Sequence, residues 1–109
     1  MVEVLELLDD QYARDILTAT SEQPMSAKTL SEVCGASLPT IYRRADRLVE
    51  CGLLKEHTEL AEDGHHYSLY EARLRRLSVE LADGELTLDI EAGRESDIAD
   101  RFTDMWEGV

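Results

Sequence analysis

The chain has 109 residues, 43% of them apolar, enough for one modest hydrophobic core and a single domain. Two cysteines are too few for a disulfide framework or a self-contained zinc site, and no run of about 18 apolar residues is present to span a bilayer. Twenty-four acids against eleven bases leave a net charge of −13, which argues against nonspecific nucleic-acid binding over the whole surface.

Only Lys28 and Lys55 are lysines among the bases. An acid-rich, lysine-poor globular chain suits a salt-saturated cytoplasm, where a Debye length of about 3 Å or less mutes self-repulsion. The other reading of the acidity is a surface that faces a basic protein. The acidic start Met1-Val2-Glu3-Val4 lacks the pattern of a secretory leader, so a cytoplasmic location is expected.

Residues 1–8 are apolar-rich and fit either a short helix or a strand. Asp9 can cap a following helix whose face is Tyr12, Ala13, Ile16, Leu17 and Thr20, and Ser21-Glu22-Gln23-Pro24 breaks it. Ser26 opens a second helix with Leu30, Val33 and Cys34 on one face, closed by Gly35. Ser37 caps a third, with Pro39 in its first turn and Gly52 past its end. Two short helices joined by a glycine-containing turn form a helix-turn-helix over 26–52.

Leu53–Leu60 and His65–Tyr70 flank an acidic loop and alternate with period two at Leu54, Thr58, Leu60, Tyr67 and Leu69. This predicts a hairpin wing over 53–71. Asp83-Gly84 is a two-residue turn signal for a second hairpin over 74–92. It pairs Leu81 with Leu86, Val79 with Leu88 and Leu77 with Ile90 on one apolar face; Ser78, Glu80, Thr87 and Asp89 take the other. A terminal helix over 95–107 would carry the stripe Ile98, Phe102, Met105 and Trp106. The fold expected is α+β: one winged helix-turn-helix domain over 1–109, with an added C-terminal hairpin and a terminal amphipathic helix.

The third helix, 37–51, has an apolar face of Ile41, Ala45, Leu48 and Val49, and a polar stripe of Thr40, Arg43, Arg44 and Arg47. Arginine suits guanine edges and phosphate, and a recognition helix presents its N-terminal residues to bases. Ser37, Thr40, Arg43 and Arg44 are therefore candidates for base edges, and Tyr42 and Arg47 for the DNA backbone. The bland alternative for the stripe is a solvated, ion-paired helix face. Residues 37–57 carry four bases against three acids, net +1, while every other stretch is acidic. Lys28 and Lys55 are placed for phosphates, and His65 and His66 at the wing tip for a groove or backbone. Adjacent strand histidines point to opposite faces, so no metal site is expected. No phosphate loop, nucleophile elbow or paired ligand motif is present, so neither catalysis nor a cofactor is expected.

The stretch MSAKTLSEVCGASLPTIYRRADRLVECGLL, residues 25–54, resembles the helix-turn-helix core of ArsR/MarR-type winged-helix regulators, and the acidic background resembles their halophilic archaeal members. The Cys-x-Cys-type metal-sensing motif of some relatives is absent. The resemblance implies a homodimeric transcriptional regulator of double-stranded DNA, with recognition roles at Ser37, Thr40, Tyr42, Arg43, Arg44 and Arg47. The dimer seam would be the terminal helix, through Ile98, Phe102, Met105 and Trp106, together with residues 2–8. The rival reading is a winged-helix protein-interaction module that does not bind DNA.

Overall fold

The computed structural model describes residues 2–93, and its chain falls into two compact units, Met1–Ala72 and Arg73–Val109. The expected terminal helix, with Ile98, Phe102, Met105 and Trp106, lies outside the described residues. Among the described residues the fold is α+β: four helices, then two antiparallel hairpins, consistent with a winged helix-turn-helix.

Residues 1–8, open between helix and strand from sequence, form helix α1 (Val2–Asp9), which buries Val4 and Leu7 at i and i+3. Helix α2 (Gln11–Glu22) is capped by Asp10, not by Asp9. Asp9 is still helical, whereas Asp10 is extended and its carboxylate accepts the Ala13 N–H at 2.8 Å. The expected face is buried at Ala13, Ile16, Leu17 and Thr20, while Tyr12 is exposed. Thr20 satisfies its buried hydroxyl by donating to the Ile16 carbonyl one turn back. Gln23 turns extended ahead of Pro24 and ends the helix.

Helix α3 (Ala27–Cys34) starts at its Ser26 cap and stops at Gly35, whose φ of 64° lies in the left-handed region that favours glycine. Ala27, Leu30 and half-buried Cys34, at i, i+3 and i+7, set its inner face. Val33 falls off that line and is exposed, contrary to the sequence expectation. The Ser31 hydroxyl donates to the Ala36 carbonyl across the turn, and the Ala36 N–H returns to the Ser31 carbonyl at 3.2 Å. These two bonds set how the next helix leaves. Helix α4 (Leu38–Glu50) begins at its Ser37 cap with Pro39 in the first turn and buries Ile41, Ala45 and Leu48 completely; Val49 is only half-buried.

The wing is β1 (Leu54–Leu60) paired with β2 (His66–Ala72), running from Leu54 opposite Ala72 to Leu60 opposite His66. The deeply buried wing residue of β2 is Tyr70, opposite Glu56, and not Tyr67 or Leu69. In this register Tyr67 and Leu69 lie on the face opposite Leu54, Thr58 and Leu60. Tyr70 also ties the wing to the helices. Its N–H donates to the Met25 carbonyl at 2.8 Å and its carbonyl accepts the Met25 N–H at 3.0 Å, immediately before the α3 cap. The core of this unit gathers Leu7, Ile16, Leu30, Ile41, Leu48, Leu53, Leu54 and Tyr70, all essentially solvent-free.

In the second unit β3 (Leu74–Ala82) pairs with β4 (Glu85–Ala92) in the register expected: Leu81 with Leu86, Val79 with Leu88, Leu77 with Ile90. Asp83 and Gly84 both have positive φ, 53° and 77°, the signature of a type I′ turn. The Gly93 N–H closes the base of the hairpin on the Arg73 carbonyl at 2.9 Å.

Tyr70→Ala is expected to destabilise the first unit by about 3–5 kcal/mol, the range for deleting a buried aromatic. Tyr67→Ala, on an exposed ring, should fall within about 0.5 kcal/mol of wild type. Urea unfolding at fixed KCl compares them, and equal losses would refute this assignment of the core.

Candidate nucleic-acid interface

The outward side of α4 is Pro39, Tyr42, Arg43, Asp46 and Glu50. The stripe read from sequence therefore divides. Thr40 and Arg43 stay at the N-terminal, open end, with the Arg43 guanidinium 3.5 Å from the Thr40 hydroxyl. Ser37, besides capping the helix, shares its hydroxyl with that of Thr40 at 3.0 Å. These three side chains form one small polar cluster at the start of the helix.

Arg44 and Arg47 turn to the first two helices instead. Arg44 Nε donates to Asp10 Oδ2 at 3.0 Å, the same oxygen that caps α2. Arg47 lies 3.6 Å from Glu6 and 4.0 Å from Glu3 on α1, in an exposed, loosely held pair. Arg44 and Arg47 thus find carboxylates at the α2 cap and on α1, whereas Arg43 stays beside Thr40.

Partial burial pushes the Asp10 carboxyl up, but the Arg44 hydrogen bond, the Ala13 N–H and the charges of Arg44 and Arg14 outweigh it. The net result lies below the ordinary carboxylate range.

Beside this end of α4 is an open notch of about 480 Å³, lined by Ser26, Lys28, Tyr42, His66, Tyr67 and Ser68. It joins the start of α3, the exposed ring of Tyr42 and the first residues of β2. Of the sequence candidates it brings together Lys28, Tyr42 and His66; Ser26, Tyr67 and Ser68 were not foreseen. Ser26 was legible only as a cap, and a residue's place beside the wing depends on register, which the loop sequence leaves open.

Lys55 does not line the notch; it is half-buried on β1, directly across from Glu71. His65 is exposed at the wing tip but bonded to the loop, with its Nδ1 2.9 Å from Asp63 Oδ2 and its backbone N–H on Asp63 Oδ1 at 3.0 Å. The His65 ring and backbone hold the Asp63 carboxyl below its ordinary range.

Burial pushes both thiols up, Cys34 with help from Asp15 and Cys51 with help from Glu3. They are consequently poor nucleophiles at neutral pH. Burial pushes the Tyr70 phenol up to about 12, and Glu56, Asp46 and Tyr42 add to the effect. Tyr70 is thus a neutral core residue beside α4. Among the described residues no group of three or more His, Cys, Asp or Glu side chains is arranged to hold a metal ion, and no helix is long and apolar enough to cross a membrane.

A family model for a helix-turn-helix domain matches residues 8–57, from the end of α1 through α4 into β1. No curated protein matches the chain. The chain thus carries a helix-turn-helix domain, and the geometry above locates the two helices and the turn within it.

Asp10→Ala removes a cap and the partner of Arg44 together, and should cost about 1–2 kcal/mol. Because the folded carboxyl is depressed, its contribution is complete above the unfolded value near 4 and disappears as pH falls through the folded value. Asp10→Asn should accordingly show a shallower loss of stability than wild type between about pH 5 and pH 3. Urea midpoints across that range measure it, and parallel curves would count against the pairing.

Proposed function

We propose that this chain is a sequence-specific transcriptional regulator of the ArsR/MarR type that binds double-stranded DNA as a homodimer in a salt-rich cytoplasm. The observation that carries the reading is the N-terminal end of α4 within a helix-turn-helix domain. Ser37 and Arg43 stand open there beside half-buried Thr40, with Lys28 and Tyr42 at the adjoining notch. A recognition helix seated in the major groove presents this end to base edges.

Arg43 is the base-reading arginine, suited to guanine, and Thr40 meets a neighbouring edge or a thymine methyl. Lys28, Tyr42 and the notch residues, His66 among them, follow the phosphate backbone. Arg44 and Arg47 act from behind, holding α4 against α1 and α2; they reach DNA only where their carboxylate partners are given up. Lys55 and His65 contribute to the field of the wing more than to contacts. Homodimer formation sets two half-sites about one helical turn apart.

With few free cations and an acidic surround, little counterion release accompanies binding, so affinity rests on base contacts and DNA shape. A second reading, a protein-interaction module without DNA binding, draws on Asp46 and Glu50 along the outward C-terminal half of α4.

Selection of bound fragments from a genomic DNA library at several KCl concentrations tests the proposal. Wild type should enrich a pseudo-palindrome, with affinity falling only shallowly as salt rises. Arg43→Ala should lose at least about tenfold in affinity with stability within about 0.5 kcal/mol of wild type. Arg44→Ala should instead lower stability by about 1 kcal/mol. Failure to enrich any duplex up to molar KCl would favour the protein-interaction module.

A further inference from the structure

The β3–β4 hairpin keeps its two faces chemically separate. Leu77, Val79, Leu81, Leu86, Leu88 and Ile90 share one face, in three cross-strand pairs. Arg76, Ser78, Glu80, Ala82, Glu85, Thr87, Asp89 and Glu91 lie on the other, four acids against one base. The apolar face is open toward the turn, where Leu81 is 75% exposed, Val79 55% and Leu86 54%; Leu77, Leu88 and Ile90 are half-buried. A two-stranded hairpin is marginal in water on its own, and large apolar side chains set side by side in solvent mark an interaction surface.

We propose that this face is a contact surface for a second copy of the same chain, the two hairpins meeting apolar face to apolar face about a two-fold axis. The inference rests on the homodimer reading above and assigns it a seat in the described residues. Charge chooses the occupant. A basic protein would be drawn to the acidic back of the hairpin, and DNA would be repelled by it. The apolar side carries no carboxylate among its three central pairs, so two copies of a −13 chain meet there with their hairpin acids turned outward.

Isologous packing suits the surface, because the same three pairs serve both partners. Strands of this length span about 26 Å, and two of them about 10 Å across, which is a smaller patch than the roughly 800 Å² per partner of a standard interface. The contact is therefore concentration-dependent, and it tightens as salt screens the net charge.

Sedimentation velocity on the full chain, without DNA, over a wide concentration range at low and molar KCl tests this. The expected result is a reversible monomer–dimer equilibrium that shifts to dimer in high salt. Leu81→Glu with Leu86→Glu should weaken the dimer by at least about tenfold. The single change Leu81→Ser, at the most exposed position, should weaken it less and guards against a folding defect. Ser78→Glu, on the acidic face, should leave it unchanged.

A wild-type chain that stays monomeric throughout overturns the proposal, including the case in which the chain's own residues 94–109 cover the face. A dimer of unchanged strength in both leucine variants also overturns it. If Trp106→Ala alone dissociates that dimer, the homodimer reading stands and only the hairpin seat falls.

Discussion

Two backbone hydrogen bonds between Met25 and Tyr70 hold the helix-turn-helix and its wing as one object. Met25 stands just before the cap of α3, and Tyr70 lies in the strand whose first residues line the notch beside α4. The ring of Tyr70 is solvent-free, so the pairing is enforced by burial as well as by hydrogen bonding. The position of the wing relative to α4 follows from it. So does the order of assembly: the helices and the hairpin close through local contacts, whereas this bridge joins residues far apart in sequence and bears the larger loop-closure entropy.

What could be read from the sequence depended on how many registers each turn permits. Asp83-Gly84 fits a two-residue type I′ turn and leaves one pairing, so the second hairpin was legible to the residue. The loop from Ala61 to His65 permits several pairings, and the alternation of Tyr67 and Leu69 marks a strand without saying which residue of it enters the core. Tyr70 opposite Glu56 emerges only once the register is known. The helix boundaries were legible because Ser26, Gly35, Ser37 and Pro39 each have one strong local preference. Asp9 and Asp10 compete for the same capping role, and the chain resolves them by ending α1 at the first and starting α2 from the second.

The candidate interface was legible in part, for a geometric reason. Thr40, Arg43, Arg44 and Arg47 occupy about 100° of arc on α4, and that arc straddles the boundary between the open side and the flank packed toward α1 and α2. Periodicity groups the four; it carries no information about where the neighbouring helices lie. The regional charge excess read from sequence is likewise shared out in the fold. Two of the three arginines on the stripe, Arg44 and Arg47, face carboxylates supplied by the acidic stretch before them.

A single oxygen, Asp10 Oδ2, receives both the Ala13 N–H and Arg44 Nε. Glutamate at this position would extend one carbon too far to cap, serine would cap without charge, and asparagine would keep the cap but lose the ion pair. A change at position 10 therefore also removes a partner from position 44. The Arg47 contacts impose no such coupling, because Glu3 and Glu6 duplicate each other and either can drift while the other remains. Neighbouring arginines on one helix thus carry very different substitutional freedom, decided by whether the partner oxygen is shared or redundant.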